Sequence, residues 1–212
     1  MEFNQFKSII ASLKVKKLGG LEAQFKLAPG MRLKYDAEKI AAHNPKKAAV
    51  LVLFYPNANN ETTFLLTKRA SYKGTHSAQI SFPGGKVAAL DTSLQETALR
   101  ETFEEVGVQL KSLEIFREIT TVYIPPSNFL ATPFMAIAAK KPNFNTNYEV
   151  ESTIEVLLEE LLDDNSLSTV NLSTSYMKNT AVPCFKLNDY IVWGATAMML
   201  SEIKELLKCS NL

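Results

Sequence analysis

"SFPGGKVAALDTSLQETALRETFEEVGV", Ser81 to Val108, decides the reading of this chain. After the adjacent glycines Gly84 and Gly85, Thr92 or Ser93 is placed to cap a helix, and Gln95 or Glu96 completes a capping box. Gly107 supplies the stop. On that helix Glu101 neighbours both Glu104 and Glu105, with Cβ atoms about 5–6 Å apart. Each like-charge pair costs roughly 0.2–0.5 kcal/mol, and the cluster sits toward the C-terminal end, where the helix dipole disfavours anions. A solvated acidic face, with Glu96–Arg100 and Arg100–Glu104 as ordinary ion pairs, is one account. A divalent cation is the other, because Mg²⁺ takes carboxylate oxygens and shares its shell with substrate phosphates. The glycines just upstream favour the second account, since they let backbone amides approach a phosphate.

Working outward, "AAVLVLFYP" (Ala48 to Pro56) is a nearly continuous apolar run and suits a buried strand. "NANNE" turns the chain into "TTFLLTKR", a second strand of a hairpin. "HSAQISFPGG" reads as a short strand ending in a glycine loop. "SLEIFREITTVYIPPS" and "NFLATPFMAIAAK" are β-rich and separated by a Pro-Pro turn. "YEVESTIEVLLEELLDD" (Tyr148 to Asp164) is expected as an amphipathic helix, with Thr153–Val156 also compatible with a strand. "WGATAMMLSEIKELLK" places Ala195, Met198, Met199, Ile203, Leu206 and Leu207 on one helical stripe. "FNQFKSIIASLKV" near the start is a short amphipathic helix, within a stretch (1–45) that reads as a peripheral helical extension packed on a main domain of residues 46–212.

The 212 residues, 46% hydrophobic and 21% charged, fit a single α/β domain without repeats. A formal net charge of +1 provides no global attraction to nucleic acid or to an anionic membrane. Cys184 and Cys209 lack metal-type or redox-type spacing, and His43 and His76 are too scattered for a histidine metal site. With no leader pattern and no apolar run near the ~20 residues a bilayer requires, the cytoplasm is the default compartment.

The stretch "GGK…RETFEEVGV" resembles the Nudix box, G-x5-E-x7-R-E-x2-E-E-x-G followed by an apolar residue. Arg100, Glu101, Glu104, Glu105, Gly107 and Val108 match its second half, and Asp91 is the nearest stand-in for its early glutamate. The one extra residue between Gly85 and Arg100, the "TALRE" run, the upstream "LLTKRASYKGTHSAQISFPGG" and "WGATAMML" are similar to the coenzyme A diphosphatase branch of Nudix hydrolases. Gly74, Ala78 and Ala88 depart from that branch, which carries arginine, glycine and aspartate there.

The resemblance implies an α/β/α sandwich with a mixed sheet and a loop–helix–loop catalytic motif. It implies Glu101, Glu104 and Glu105 as ligands of Mg²⁺ (or Mn²⁺), Arg100 orienting them, and Glu149 or Glu151 as general base. Arg69, Lys73, Gly84, Gly85 and Lys86 would meet a small-molecule diphosphate substrate. His76 reads as a loop histidine, and Phe82, Pro83 and Trp193 as packing. Coenzyme A or its thioesters, cleaved to 4′-phosphopantetheine and 3′,5′-ADP, lead as substrates. ADP-ribose, dinucleotides or nucleoside triphosphates are the alternatives, followed by binding of a nucleotide metabolite without cleavage. Members of the family often form homodimers.

Overall fold

The apolar run after Lys46 becomes the central strand, and its alternation dictates the layers. In the computed structural model, which describes residues 1–70 and 79–208, this strand β1 (Lys46–Pro56) places Ala48, Val52 and Phe54 in one apolar cluster. Ala49, Leu51, Leu53 and Tyr55 enter a second. A strand buried on both faces requires a covering layer on each.

Helices α1 (Phe3–Val15), α2 (Gly20–Phe25) and α3 (Ala37–Ala42) precede β1. It is followed by β2 (Thr62–Arg69), β3 (Ile80–Ser81), β4 (Gly84–Lys86) and helix α4 (Leu94–Val106). Next come β5 (Leu113–Glu118), β6 (Val122–Ile124), β7 (Phe129–Ala138), β8 (Val150–Leu157) and the short α5 (Leu158–Leu162). Strands β9 (Leu167–Thr174), β10 (Met177–Leu187) and β11 (Tyr190–Trp193) lead into α6 (Gly194–Lys208). The main sheet runs β3-β2-β1-β7-β5, with β4 also on β1, β6 on β7 and β8 on β2. β1 and β7 are parallel from Lys46↔Phe129 to Phe54↔Ile137, and the other pairs are antiparallel, so the sheet is mixed. Strands β9, β10 and β11 form a separate antiparallel sheet.

Ala98 and Val106 of α4 cover one face of the main sheet, and α1, α5 and α6 contribute to the cluster on the other. The first helix is therefore part of the core. Phe6 is fully buried with its ring 4.8 Å from that of Phe54. Arg117 donates to the Lys14 and Lys16 carbonyls at the end of α1, where basic groups satisfy orphan acceptors. On α6 the expected stripe from Met198 to Leu207 is buried, and so are Ser201, Glu202 and Lys204. Glu202 is satisfied there by the Gly20 and Thr120 amides, the Thr120 hydroxyl and the Gln24 side chain.

Two local expectations are overturned. The Tyr148–Asp164 stretch is not one amphipathic helix, and the strand alternative at Thr153–Val156 holds: its first half is β8, laddered on β2 from Thr63↔Leu157 to Lys68↔Ser152, with five helical residues after it. Val150, Thr153, Ile154 and Val156 are β-branched and fit a ladder, and without them this edge of β2 would be unpaired. Gly84–Lys86 is not simply a loop but a strand opposite Ala48–Val50. The carboxylate-bearing helix forms as expected. Ser93 Oγ accepts the Glu96 amide at 3.1 Å, Glu96 reaches back to the Thr92 amide at 2.6 Å, and Gly107 ends the helix at φ 72°.

Candidate active site

The two glycines differ in what they do. Gly84 has φ 150°, and a Cβ there would lie 2.4 Å from the Ala49 carbonyl oxygen and 2.6 Å from Val50 Cα, so only glycine lets β4 press this closely on β1. Its amide is thereby aimed at α4 and donates to Glu105 Oε2 at 2.9 Å. Gly85 has no such backbone demand. A Cβ on it would fall 2.4–2.7 Å from all three carboxyl atoms of Glu101, which rests against the bare face of this glycine.

Arg100 organises the outer side of the helix. Its Nε and Nη2 clasp the two oxygens of Asp91 at 2.8 Å each, and its Nη1 donates to Glu101 at 2.8 Å and Glu104 at 3.1 Å. Nη2 also reaches the Lys86 carbonyl at 3.2 Å. Asp91, which takes further bonds from the Ala88 amide and the Thr97 hydroxyl, thus orients Arg100. The Arg100 guanidinium, with these bonds, holds the Asp91 carboxyl well below the usual carboxylate range, and Asp91 in turn raises Arg100.

The opposite wall comes from the β2–β8 ladder. A register shift between Lys68 and Arg69 brings Arg69 opposite Val150. Arg69 Nη1 and Nη2 lie 3.3 Å from Glu105 and Glu149. The segment before β8 is tied to the last turn of α4 by the Asn145 amide on the Val106 carbonyl and the Asn147 amide on the Glu105 carbonyl. Asn147 Oδ1 then accepts the Glu149 amide at 2.8 Å. This chain of bonds carries Glu149 to the acidic helix. Glu151, the other base candidate, faces away and pairs with Lys68.

Burial pushes the Glu105 carboxyl up to about 7, against the opposing pull of the Gly84 amide and Arg69, with Glu101 and Glu149 adding to the rise. Glu101 is also raised, again first by burial, and Glu104 and Glu149 contribute. These carboxylates therefore face a shared space. It is a cavity of about 490 Å³, lined by Arg69, Gly84, Gly85, Lys86, Glu101, Glu105 and Glu149 among the expected residues. Glu104 does not line it: its side chain is 52% exposed and turned to Arg100. Phe82 and half-buried Trp193 also line the cavity, whereas Pro83 is buried outside its lining. Lys73, Gly74, His76 and Ala78 lie outside the described residues. Arg32, Tyr123 and Ser127 also line the cavity, and the sequence reading singled out none of them; a lone arginine in the lysine-rich 1–45 stretch was the available signal.

Among the described residues no three acidic, histidine or cysteine side chains converge into a ready-made metal cage. The donor chemistry nevertheless suits a hard divalent cation of the Mg²⁺ type. Such an ion needs only one or two carboxylates beside water and substrate phosphate, and buried Glu105 and neighbouring Glu101 are all-oxygen donors that lack full charge compensation.

A mixed sheet that presses a glycine strand onto a carboxylate-bearing helix, beside a cavity, is an α/β arrangement suited to a hard cation and a phosphate. Residues 45–167 match the model of the NUDIX domain. The chain is 29% identical over 161 residues to a protein of Yersinia pestis (strain Pestoides F) named "Uncharacterized Nudix hydrolase NudL", covering 76% of this chain and 79% of that one. In fold it is similar to RenU, a Nudix hydrolase from M. smegmatis (TM-score 0.56, 17% identity, 78% and 87% of the two chains covered). It is also similar in fold to a C. elegans Ap4A hydrolase in a binary complex (TM-score 0.51, 19% identity, 79% and 99% covered). The chain belongs to the Nudix hydrolase family, enzymes that act on pyrophosphate bonds.

Proposed function

We propose that the protein hydrolyses the diphosphate bond of coenzyme A or its thioesters, with Mg²⁺ or Mn²⁺ bound by Glu101 and Glu105, releasing 4′-phosphopantetheine and 3′,5′-ADP. The observation that carries the chemistry is the pairing of two glycines with two carboxylates: Gly85 makes room for Glu101, and the Gly84 amide holds Glu105. The substrate assignment is supported by the extra residue in the box, the "TALRE" run and the "WGATAMML" helix.

When bound, the cation supplies charge neutralisation at the phosphate oxygens and a lowered pKa of water. The chain's own residues have separable tasks. Arg100, fixed by Asp91, holds Glu101 and Glu104 in place. Glu104, on the exposed side, acts through that network or as an outer ligand. Arg69 spans Glu105 and Glu149 and would meet a phosphate oxygen, with Gly85 and Lys86 lining the same cavity. Glu149, half-buried on the cavity wall, takes the proton of the attacking water as general base. We assign catalysis to residues 46–212, with 1–45 as a packed extension.

The test is a panel of coenzyme A, ADP-ribose, dinucleotides and nucleoside triphosphates with Mg²⁺ and product identification. Coenzyme A should be cleaved fastest, and an inert coenzyme A beside rapid ADP-ribose cleavage would overturn the assignment. Glu101→Gln and Glu105→Gln should each lower kcat by about 10²-fold or more while the fold survives; near-wild-type rates in both would remove the metal role.

A further inference from the structure

The cavity contains a cation that the hydrolytic machinery does not use. Arg32 is only 3% exposed, yet it lines the cavity. It opens a single helical turn (Arg32–Lys34) in the N-terminal stretch, outside the residues matched by the family model. Its Nη1 donates to the Tyr35 carbonyl at 2.9 Å, and its guanidinium stacks 5.2 Å from the Phe25 ring and 5.7 Å from the Tyr123 ring. Its Nε has no partner, and among the described residues no carboxylate pairs with it.

A second orphan lies on the same cavity: Ser127 Oγ, in the turn after β6, is buried and has no hydrogen-bond partner among the described residues. Tyr123, between them, already spends its hydroxyl on Asn128. Arg32 lines the same cavity as Glu101, Glu105 and Glu149, and among the described residues it forms no ion pair with them. Aromatic stacking alone offsets part of the penalty for burying a guanidinium, but it leaves a buried N–H without an acceptor and the charge without a counter-charge. A planar fork with an unpaired Nε and an unpaired hydroxyl on the same cavity match the oxygens of a phosphate.

We propose that Arg32 and Ser127 form an anion subsite of the cavity, which takes a second anionic group of the substrate: a phosphate monoester carried apart from the diphosphate. The proposal rests on the reading of the cavity as the seat of a diphosphate substrate. It makes the N-terminal stretch a specificity element, and it selects for nucleotides phosphorylated at a second position.

The experiment is calorimetric titration of the full chain, with Mg²⁺, against adenosine 3′,5′-bisphosphate and against adenosine 5′-monophosphate. Wild type should favour the bisphosphate by about tenfold, the scale of one charge-assisted contact. Arg32→Gln should bring the two ligands within about twofold, and Ser127→Ala should reduce the preference by about threefold. Equal affinities in wild type, or a preference that survives Arg32→Gln, would overturn the subsite. Because Arg32 packs between two rings, thermal unfolding is followed in parallel. If Arg32→Gln does not fold, Ser127→Ala decides, and an unchanged preference there rejects the proposal. Coenzyme A turnover by the wild type separates the two ideas. A preference without turnover rejects the substrate assignment but leaves the subsite, whereas turnover with a preference indifferent to Arg32 rejects the subsite alone.

Discussion

Alanine at position 85 would place a methyl carbon 2.4 Å from Oε2, 2.5 Å from Cδ and 2.7 Å from Oε1 of Glu101. Non-bonded contacts settle near 3.5 Å, so the carboxylate must withdraw by about 1 Å. Gly85 is not among the glycines with left-handed φ, so its backbone accepts alanine and the conflict falls on a side-chain tip. Withdrawal breaks the 2.8 Å bond from Arg100 Nη1, a charge-assisted contact worth about 1.5–3 kcal/mol. Arg100 keeps Asp91 and Glu104, and alanine returns about 0.4–1 kcal/mol by restricting the unfolded chain. The net loss is about 1–2 kcal/mol, or about 2–8 °C in Tm for a chain of this length. A 1 Å misplacement of a reacting group costs about 10²-fold in rate, so kcat should fall by about that factor in a folded protein.

Gly84→Ala is the matched control. There the methyl meets backbone, 2.4 Å from the Ala49 carbonyl oxygen and 2.6 Å from Val50 Cα, at a φ of 150° that side chains rarely adopt. Neither atom can swing aside, so strain and overlap together should cost about 3–5 kcal/mol. Steady-state diphosphate hydrolysis at saturating substrate, beside urea and thermal unfolding of both variants, reads the two effects separately. A Gly85→Ala enzyme with wild-type kcat, or one as unstable as Gly84→Ala, would refute the reasoning.

Asp91 has a folded pKa held low by Arg100, so its stabilisation is complete above the unfolded value of about 4 and is lost as pH falls through the folded value. Asp91→Asn should therefore flatten the fall of the urea midpoint between about pH 5 and pH 2, and parallel curves would contradict the pairing. Phe6→Ala removes a fully buried ring against Phe54 and should cost about 3–5 kcal/mol in urea unfolding; a loss below about 1 kcal/mol would place the first helix outside the core. Chelating divalent cations with EDTA should weaken binding of ADP, followed by calorimetry, by at least about tenfold. Equal affinities with and without Mg²⁺ would count against a shared cation.

Helix α4 was legible because its determinants are local: Ser93 at the cap, Glu96 reaching back, Gly107 at the stop, and carboxylates at neighbouring spacings. The clasp of Arg100 by Asp91 lies in the same segment but not in its i,i+4 pattern, which offers Glu96 and Glu104; Glu96 instead turns back to Thr92. The β8 strand was legible only in part: Thr153–Val156 is compatible with a strand, but Glu155–Leu162 carries a helix-like pattern and only the open edge of β2 decides between them. Glu149 reaches the site through Asn145 and Asn147 bonded to the end of α4, contacts that no local pattern announces. Arg32 was overlooked for a related reason. The chain holds four arginines among 23 basic residues, and Arg32, Arg69 and Arg100 are all half-buried or buried around this cavity and helix, yet composition alone does not say which element covers which.

The disposition of those arginines explains how a helix tolerates its acidic cluster and why it remains incomplete. Arg100 and Arg69 together serve five carboxylates, Asp91, Glu101, Glu104, Glu105 and Glu149, which leaves three formal negative charges when all are ionised. Arg100 spends its short contacts on Asp91, Glu101 and Glu104, of which only Glu101 lines the cavity. Arg69 reaches Glu105 and Glu149 only at 3.3 Å. The uncompensated charge is therefore concentrated on the cavity side, where burial has already raised Glu105 to about 7. An uncompensated acidic surface of this kind repels a diphosphate. On the proposed reading, cations recruited by the carboxylates offset that repulsion, while Arg69 and Arg100 position the carboxylates rather than neutralise them.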